Sequence, residues 1–169
     1  MIAIRPATRD DAEAIARMLN AIIEARVHTA LDTPFSVEQE RAFIERFPPR
    51  GVFHVAVDTS DDGRVVGFQN VEPFATYTHA FDHVGVIGTY VDLDRRRQGI
   101  ASRLFDRTFS AARVKGYEKL FAFVRADNPA ALATYVRQGF VVIGTARQHA
   151  RIDGRYIDEV MIERALTDP

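Results

Sequence analysis

The chain has 169 residues, 47% of them hydrophobic, with a formal net charge of −1 and no cysteine. That length and composition suit one domain with an ordinary core. The near-neutral balance supplies no field to hold nucleic acid or an anionic membrane, and the missing cysteines exclude disulfides, thiolate catalysis and cysteine-ligated metal.

Residues 2–5 read as a strand. Thr8-x-x-Asp11 is a capping box opening a helix to about Ala25, whose core stripe is Ile15, Leu19, Ile22 and Ile23. Arg5, Arg9, Asp10, Asp11, Glu13 and Arg17 are foreign to a signal peptide, and no apolar run approaches the roughly 18 residues of a membrane span. The cytoplasm is the expected compartment, which a cysteine-free chain suits. Ser36-x-x-Gln39 opens a second helix that Pro48-Pro49 ends. Residues 52–57 and 65–71 read as strands around a hairpin loop containing Asp61-Asp62-Gly63. Residues 73–83 form a polar-aromatic loop, either a cover over a substrate or a solvated or dimer-contacting segment. A strand over 84–91 leads to a helix over about 99–115, stopped by Gly116.

The all-apolar run 120–124 reads as a strand buried on both faces. Asn128 caps and Pro129 begins a helix that runs to about Gln138 and stops at Gly139. Residues 140–146 and 158–164 read as strands around a turn at Asp153-Gly154. The order is strand, two helices, three strands, helix, strand, helix, two strands. It predicts an α/β (α+β) sandwich in a single domain over residues 1–169, with a mixed, mainly antiparallel sheet flanked by helices on both faces.

The segment after the strand 84–91 carries the chemistry. Arg96, Arg97, Gln98, Gly99, Ile100, Ala101 and Ser102 present backbone N–H groups at a helix N-terminus. Such groups lack intrahelical partners and lie at the positive end of the helix dipole, so they bind anions. Gly99 lets a ligand approach the backbone, and the arginines suit a phosphate or pyrophosphate. No Gly-x-x-x-x-Gly-Lys-Ser/Thr and no Gly-x-Gly-x-x-Gly is present, which removes the P-loop and the dinucleotide fingerprint. Downstream, Ala131 and Tyr135 share one helix face. By itself Tyr135 reads as a core aromatic; beside an anion site its phenol is placed to give a proton to a leaving group.

Together these segments resemble the GNAT superfamily of N-acetyltransferases. Arg96-x-x-Gly99-x-Ala101 matches its acetyl-CoA signature. Asn128-x-x-Ala131-x-x-x-Tyr135 followed by Gly139-Phe140 matches its later segment, and residues 4–12 look like its first strand and helix. Within the superfamily the chain looks most like the phosphinothricin/methionine-sulfoximine N-acetyltransferase branch. Val65-Val66-Gly67-Phe68, Pro73-Phe74, Phe81-Asp82, Thr89-Tyr90-Val91 and residues 153–158 carry that likeness. The resemblance implies acetyl-CoA as co-substrate and a small primary amine, an amino acid or analogue, as acceptor. It also implies that the backbone at Tyr90 and Val91 aligns the pantetheine arm, that Asn128 faces the cofactor and that Tyr135 protonates the departing thiolate. The chain departs from the branch where a glutamate is often proposed as the base: Val86 aligns there.

Glu72, His83 or a chain of waters then remain to take the amine's proton, with Asp92 as ambiguous as Glu72. His79 and His83 are too sparse for a metal site, so none is expected. Two other functions stay open: an acetyltransferase for protein or peptide N-termini, and a non-catalytic acyl-CoA-binding module. The aromatic loop favours a smaller site than a peptide groove. Tyr135 speaks for the enzyme and Val86 against it. A homodimer is an assembly that loop permits.

Overall fold

The computed structural model describes residues 1–167. In chain order the elements are β1 (Ile2–Pro6), α1 (Ala12–Glu24), α2 (Val37–Glu45), β2 (Val52–Asp58), β3 (Arg64–Pro73), β4 (Val84–Val91), α3 (Ile100–Val114), β5 (Lys119–Arg125), α4 (Pro129–Arg137), β6 (Val141–Ile152) and β7 (Arg155–Ala165). Short 3₁₀ turns occupy Arg9–Asp11, His79–Phe81 and Leu93–Arg95. Both expected capping boxes form, the first on the Arg9–Asp11 turn and the second on α2. Asp11 does more than cap: both its oxygens take the Arg5 guanidinium at 2.7 Å, tying β1 to the start of α1.

The strands make one sheet in the order β1-β2-β3-β4-β5-β7-β6. Every neighbouring pair is antiparallel except β4–β5. Strand alternation sorts the core into two layers. On one face Ile15, Leu19, Ile22 and Ile23 of α1 pack with Phe53, Val55 and Phe68. On the other, Ile100 and Leu104 of α3 pack with Ala56 and Val66, while Phe105 and Phe109 join Leu120, Ala122, Val124, Tyr135 and Phe140. α3 lies close against the sheet because Gly67 leaves room: a Cβ there would stand 3.2 Å from Ile100 Cγ2 and 3.1 Å from the Tyr90 carbonyl.

Two expectations are corrected. β5 is not buried on both faces: Leu120, Ala122 and Val124 are buried, whereas Phe121 is half-buried and Phe123 exposed. The α3 layer covers one face of β5; α1 and α2 sit over β2–β4 and leave its other face to an aromatic row of Phe74, Phe121 and Phe123. The last two strands also run much further than 140–146 and 158–164, up to the Asp153-Gly154 turn, because cross-strand pairing sustains polar residues that show no period of their own. No helix among the described residues is long and apolar enough to cross a membrane.

His54 is buried in the α3 layer, with Nδ1 3.0 Å from Thr108 Oγ1. Burial, with Arg107 adding repulsion, pushes its pKa down from 6.5 to about 4. Between those values the unfolded chain binds the proton and the folded chain does not. Stability is therefore expected to fall as pH drops from about 6.5 to about 4, by on the order of 2 kcal/mol from this group. Urea titrations at several pH values check it: His54→Gln should remove that part of the acid slope.

Candidate active site

The site grows from one irregularity in the sheet. β3 pairs β4 along its length, to Gly67↔Val91. On its other side, β4 meets β5 only at Val84↔Lys119, Gly85↔Leu120 and Val86↔Phe121. Beyond that point the two parallel strands part, and residues 87–91 have no strand partner on the β5 side. Tyr135 of α4 sits in the fork, edge-on to Phe105 and Phe140. The result is a cleft of about 460 Å³ lined by Thr89, Tyr90, Val91, residues 95–97, residues 99–102, Asn128 and Tyr135.

At the mouth of the fork β4 turns into α3. Asp92 stops the strand: Oδ1 accepts from the Asp94 amide at 3.1 Å and Oδ2 takes Arg64 at 2.7 Å. Both its oxygens serve this turn, which removes Asp92 from the bases. Arg95 is likewise spent, between Asp58 at 3.0 Å and Asp61 at 2.9 Å; it ties the turn to the β2–β3 hairpin rather than adding charge for an anion. Arg97 (φ 60°) and Gly99 (φ 75°) adopt left-handed conformations, folding the chain so that α3 begins with its amides facing the cleft. Among the described residues nothing lies within 4 Å of a Cβ built on Gly99, so its backbone is open to a ligand.

The opposite wall is the loop after α1. Arg125 is buried, its guanidinium held by Asp127 and donating Nη1 to the carbonyls of Arg26 at 2.9 Å and Thr29 at 3.0 Å. Asn128 caps α4 through the Ala131 amide and donates to the His28 carbonyl at 3.2 Å. His28 Nε2 accepts from Arg96 at 3.2 Å, and burial, then Arg96 and Arg125, lower its pKa. This wall has no signature in the sequence, since it depends on contacts about a hundred residues apart.

The structure thus brings Tyr90, Val91, Arg96, Arg97, Gly99, Ile100, Ala101, Ser102, Asn128 and Tyr135 to one cleft; Gln98 belongs to the same turn but is not in its lining. Glu72 pairs directly with Val86 and accepts from Asn70 Nδ2 at 3.3 Å; burial raises its pKa. It lies three residues, about 10 Å, along the sheet from Thr89. His83 stays apart. It is exposed before β4 begins, about 20 Å from Thr89 along the strand, with its carbonyl receiving the Glu118 and Lys119 amides.

Three polar residues received no role at the site from the sequence. His54, Gln69 and Thr89 are successive cross-strand partners under α3. Gln69 is fully buried and its Nε2 donates to Thr89 Oγ1 at 2.8 Å. Tyr135 donates to the same oxygen at 2.9 Å, and burial raises the pKa of its phenol. On the α1 face, Glu40 is buried with no side-chain partner among the described residues. An isolated polar residue in an apolar strand or amphipathic helix gives no sign that it will be buried.

Four similarities to known proteins fit this geometry. The model of the Acetyltransferase (GNAT) family matches residues 15–140. A phosphinothricin N-acetyltransferase of Streptomyces coelicolor is 25% identical over 98% of this chain and 96% of its own. The L-amino acid N-acyltransferase MnaT of Escherichia coli is 23% identical over 99% and 95%. A GNAT superfamily phosphinothricin acetyltransferase from Sinorhizobium meliloti, solved in complex with acetyl-CoA, has the same fold: TM-score 0.89 at 21% identity, covering 99% of this chain and 92% of that one.

Burial raises the Glu40 pKa from 4.5 to about 7. Here the folded chain holds the proton through the window in which the unfolded chain has lost it. The stability this gives is present below about pH 4.5 and is lost as pH rises through about 7. Glu40→Gln is therefore expected to match the parent at pH 4.5 and exceed it at pH 8 by on the order of 2 kcal/mol. Denaturant midpoints at the two pH values measure this.

Proposed function

The chain belongs to the acetyltransferase (GNAT) family and is an acetyl-CoA-dependent N-acetyltransferase, and we propose that its acceptor is the primary amine of an amino acid or amino-acid analogue. The names of its relatives support that acceptor class. The observation that carries the reading is the fork between β4 and β5. It presents an unpaired strand edge beside a cationic helix start, which suits a ligand with an amide-bearing arm at one end and a pyrophosphate at the other.

In this reading the amides of residues 96–102, with Arg96 and Arg97 beside them, hold the pyrophosphate. The free edge of β4 at Tyr90 and Val91 receives the pantetheine arm as an added strand. Asn128 fixes the α4 terminus against the far wall. The acceptor enters as an ammonium, since alkyl amines have a pKa near 10. Glu72 takes its proton, directly or through water, from the position opposite Val86. The amine nitrogen bonds to the thioester carbonyl carbon, the C–S bond breaks, the nitrogen gives up its second proton to water, and the thiolate takes a proton supplied by Tyr135. Orientation of the two substrates supplies much of the rate. The enzyme works in the cytoplasm, and the exposed Val141, Val142 and Ile143 on edge strand β6 give it surface for a homodimer.

Two variants test the assignment. Gly99→Val forces a β-branched residue into a left-handed conformation and fills the open approach, so acetyl-CoA affinity is expected to fall at least tenfold, about 1.4 kcal/mol. Calorimetric titration reads it, and undiminished affinity in a folded variant would move the anion site elsewhere. Glu72→Gln keeps the shape and removes the base. Neutral-pH kcat/KM should drop by about 10²-fold with loss of the acidic limb of the pH–rate profile. A retained limb would leave the amine to lose its proton to solvent.

A further inference from the structure

Thr89 and Tyr135 both line the cleft. The Thr89 oxygen accepts two hydrogen bonds, from the Tyr135 hydroxyl at 2.9 Å and from Gln69 Nε2 at 2.8 Å. A threonine oxygen has two lone pairs, and both are thereby engaged. Its own hydrogen has no acceptor among the described residues. Thr89 is half-buried and lines the cleft, whereas Tyr135 is only 7% exposed and its hydroxyl hydrogen is already committed to Thr89. The hydroxyl hydrogen left for the fork is therefore the threonine's. Two donors on one oxygen also polarise its O–H bond, since hydrogen bonds in a chain strengthen one another.

We propose that Thr89 is a catalytic residue: its hydroxyl hands the proton to the departing thiolate, and Tyr135 replaces that proton from behind, with Gln69 as a positioning residue. This rests on the acetyl-transfer reading above and refines the path of its last proton. As the C–S bond breaks, the Thr89 O–H bond breaks and an S–H bond forms. In the same movement the Tyr135 proton passes to Thr89 Oγ1, so no free alkoxide appears. The phenolate left behind recovers a proton from water once the product thiol leaves. Gln69 is fully buried, its Oε1 has no hydrogen-bond partner among the described residues, and its Nε2 donates to Thr89, which holds that hydroxyl toward Tyr135.

The test is a double-mutant cycle with acetyl-CoA and whichever small amine the parent enzyme turns over. Thr89→Val keeps the shape and removes the hydroxyl; Thr89→Ser keeps the hydroxyl. Thr89→Val is expected to lower kcat by about 10²-fold, as Tyr135→Phe should, with acetyl-CoA affinity by calorimetry within about twofold of the parent. The double variant should be no slower than either single one, because both break the same path. Thr89→Ser should restore kcat to within about threefold. Parent-like kcat in Thr89→Val beside a slow Tyr135→Phe would overturn the relay and leave Tyr135 acting on sulfur directly. Multiplicative losses in the double variant would overturn it too. Parent-like kcat in Tyr135→Phe would instead overturn the acid role assigned to Tyr135, which is a different failure.

Discussion

Everything at the site depends on the β4–β5 pair stopping after three rungs. Parallel strands in a sheet interior normally continue, because an unpaired backbone group away from water costs as much as a lost hydrogen bond. Here β5 keeps its antiparallel partner β7 along its whole length, from Lys119↔Ala165 to Arg125↔Glu159, and β4 keeps β3. Each strand is satisfied on its outer side, so the inner edges are free to part. What fills the fork is an aromatic wedge, Tyr135 with Phe105 and Phe140, and the space that remains is the cleft. A sheet that paired normally would have a better ladder and nowhere to bind a ligand by its backbone.

The surroundings hold that opening in place. Arg95 pins the turn after β4 to the β2–β3 hairpin through two aspartates, and Arg64 pins Asp92 at the end of β4. Arg125 does the same across the cleft, trading its donors for the carbonyls of the loop after α1. These arginines act as struts. Their charges are paired, so they shape the mouth without competing for a ligand. Arg96 and Arg97 remain on the turn itself, beside the amides.

Buried polar groups mark where the sheet departs from simple packing. The row from His54 through Gln69 to Thr89 crosses three strands under α3 and ends on Tyr135. Apolar residues would fill those places with less desolvation cost. The row leaves Gln69 Oε1 without a partner among the described residues, so its cost is only partly offset there. On the other face Glu40 and Glu72 are both shifted upward by burial, the expected direction for carboxylates near an apolar wall.

The sequence alone determined the element order, both capping boxes, the exact span of β4, the left-handed stop at Gly139 and the strand–turn–helix at Gly99, because each is set by residues within one turn or one strand of each other. By resemblance it also aligned Val86 with a position where the branch often carries a glutamate. Only the tertiary structure decided that Glu72 is the cross-strand partner of that position, that Asp92 and Arg95 are used up in the turn, and that His83 lies off the cleft. Register and ion pairing join residues 14 to 37 apart, and no local period records them. The exposed half of β5 and the Gln69–Thr89–Tyr135 chain belong to the same class. Which face of a strand is covered, and which hydroxyl a phenol reaches, depends on where the helices land, and that is settled by packing rather than by the residues' own preferences.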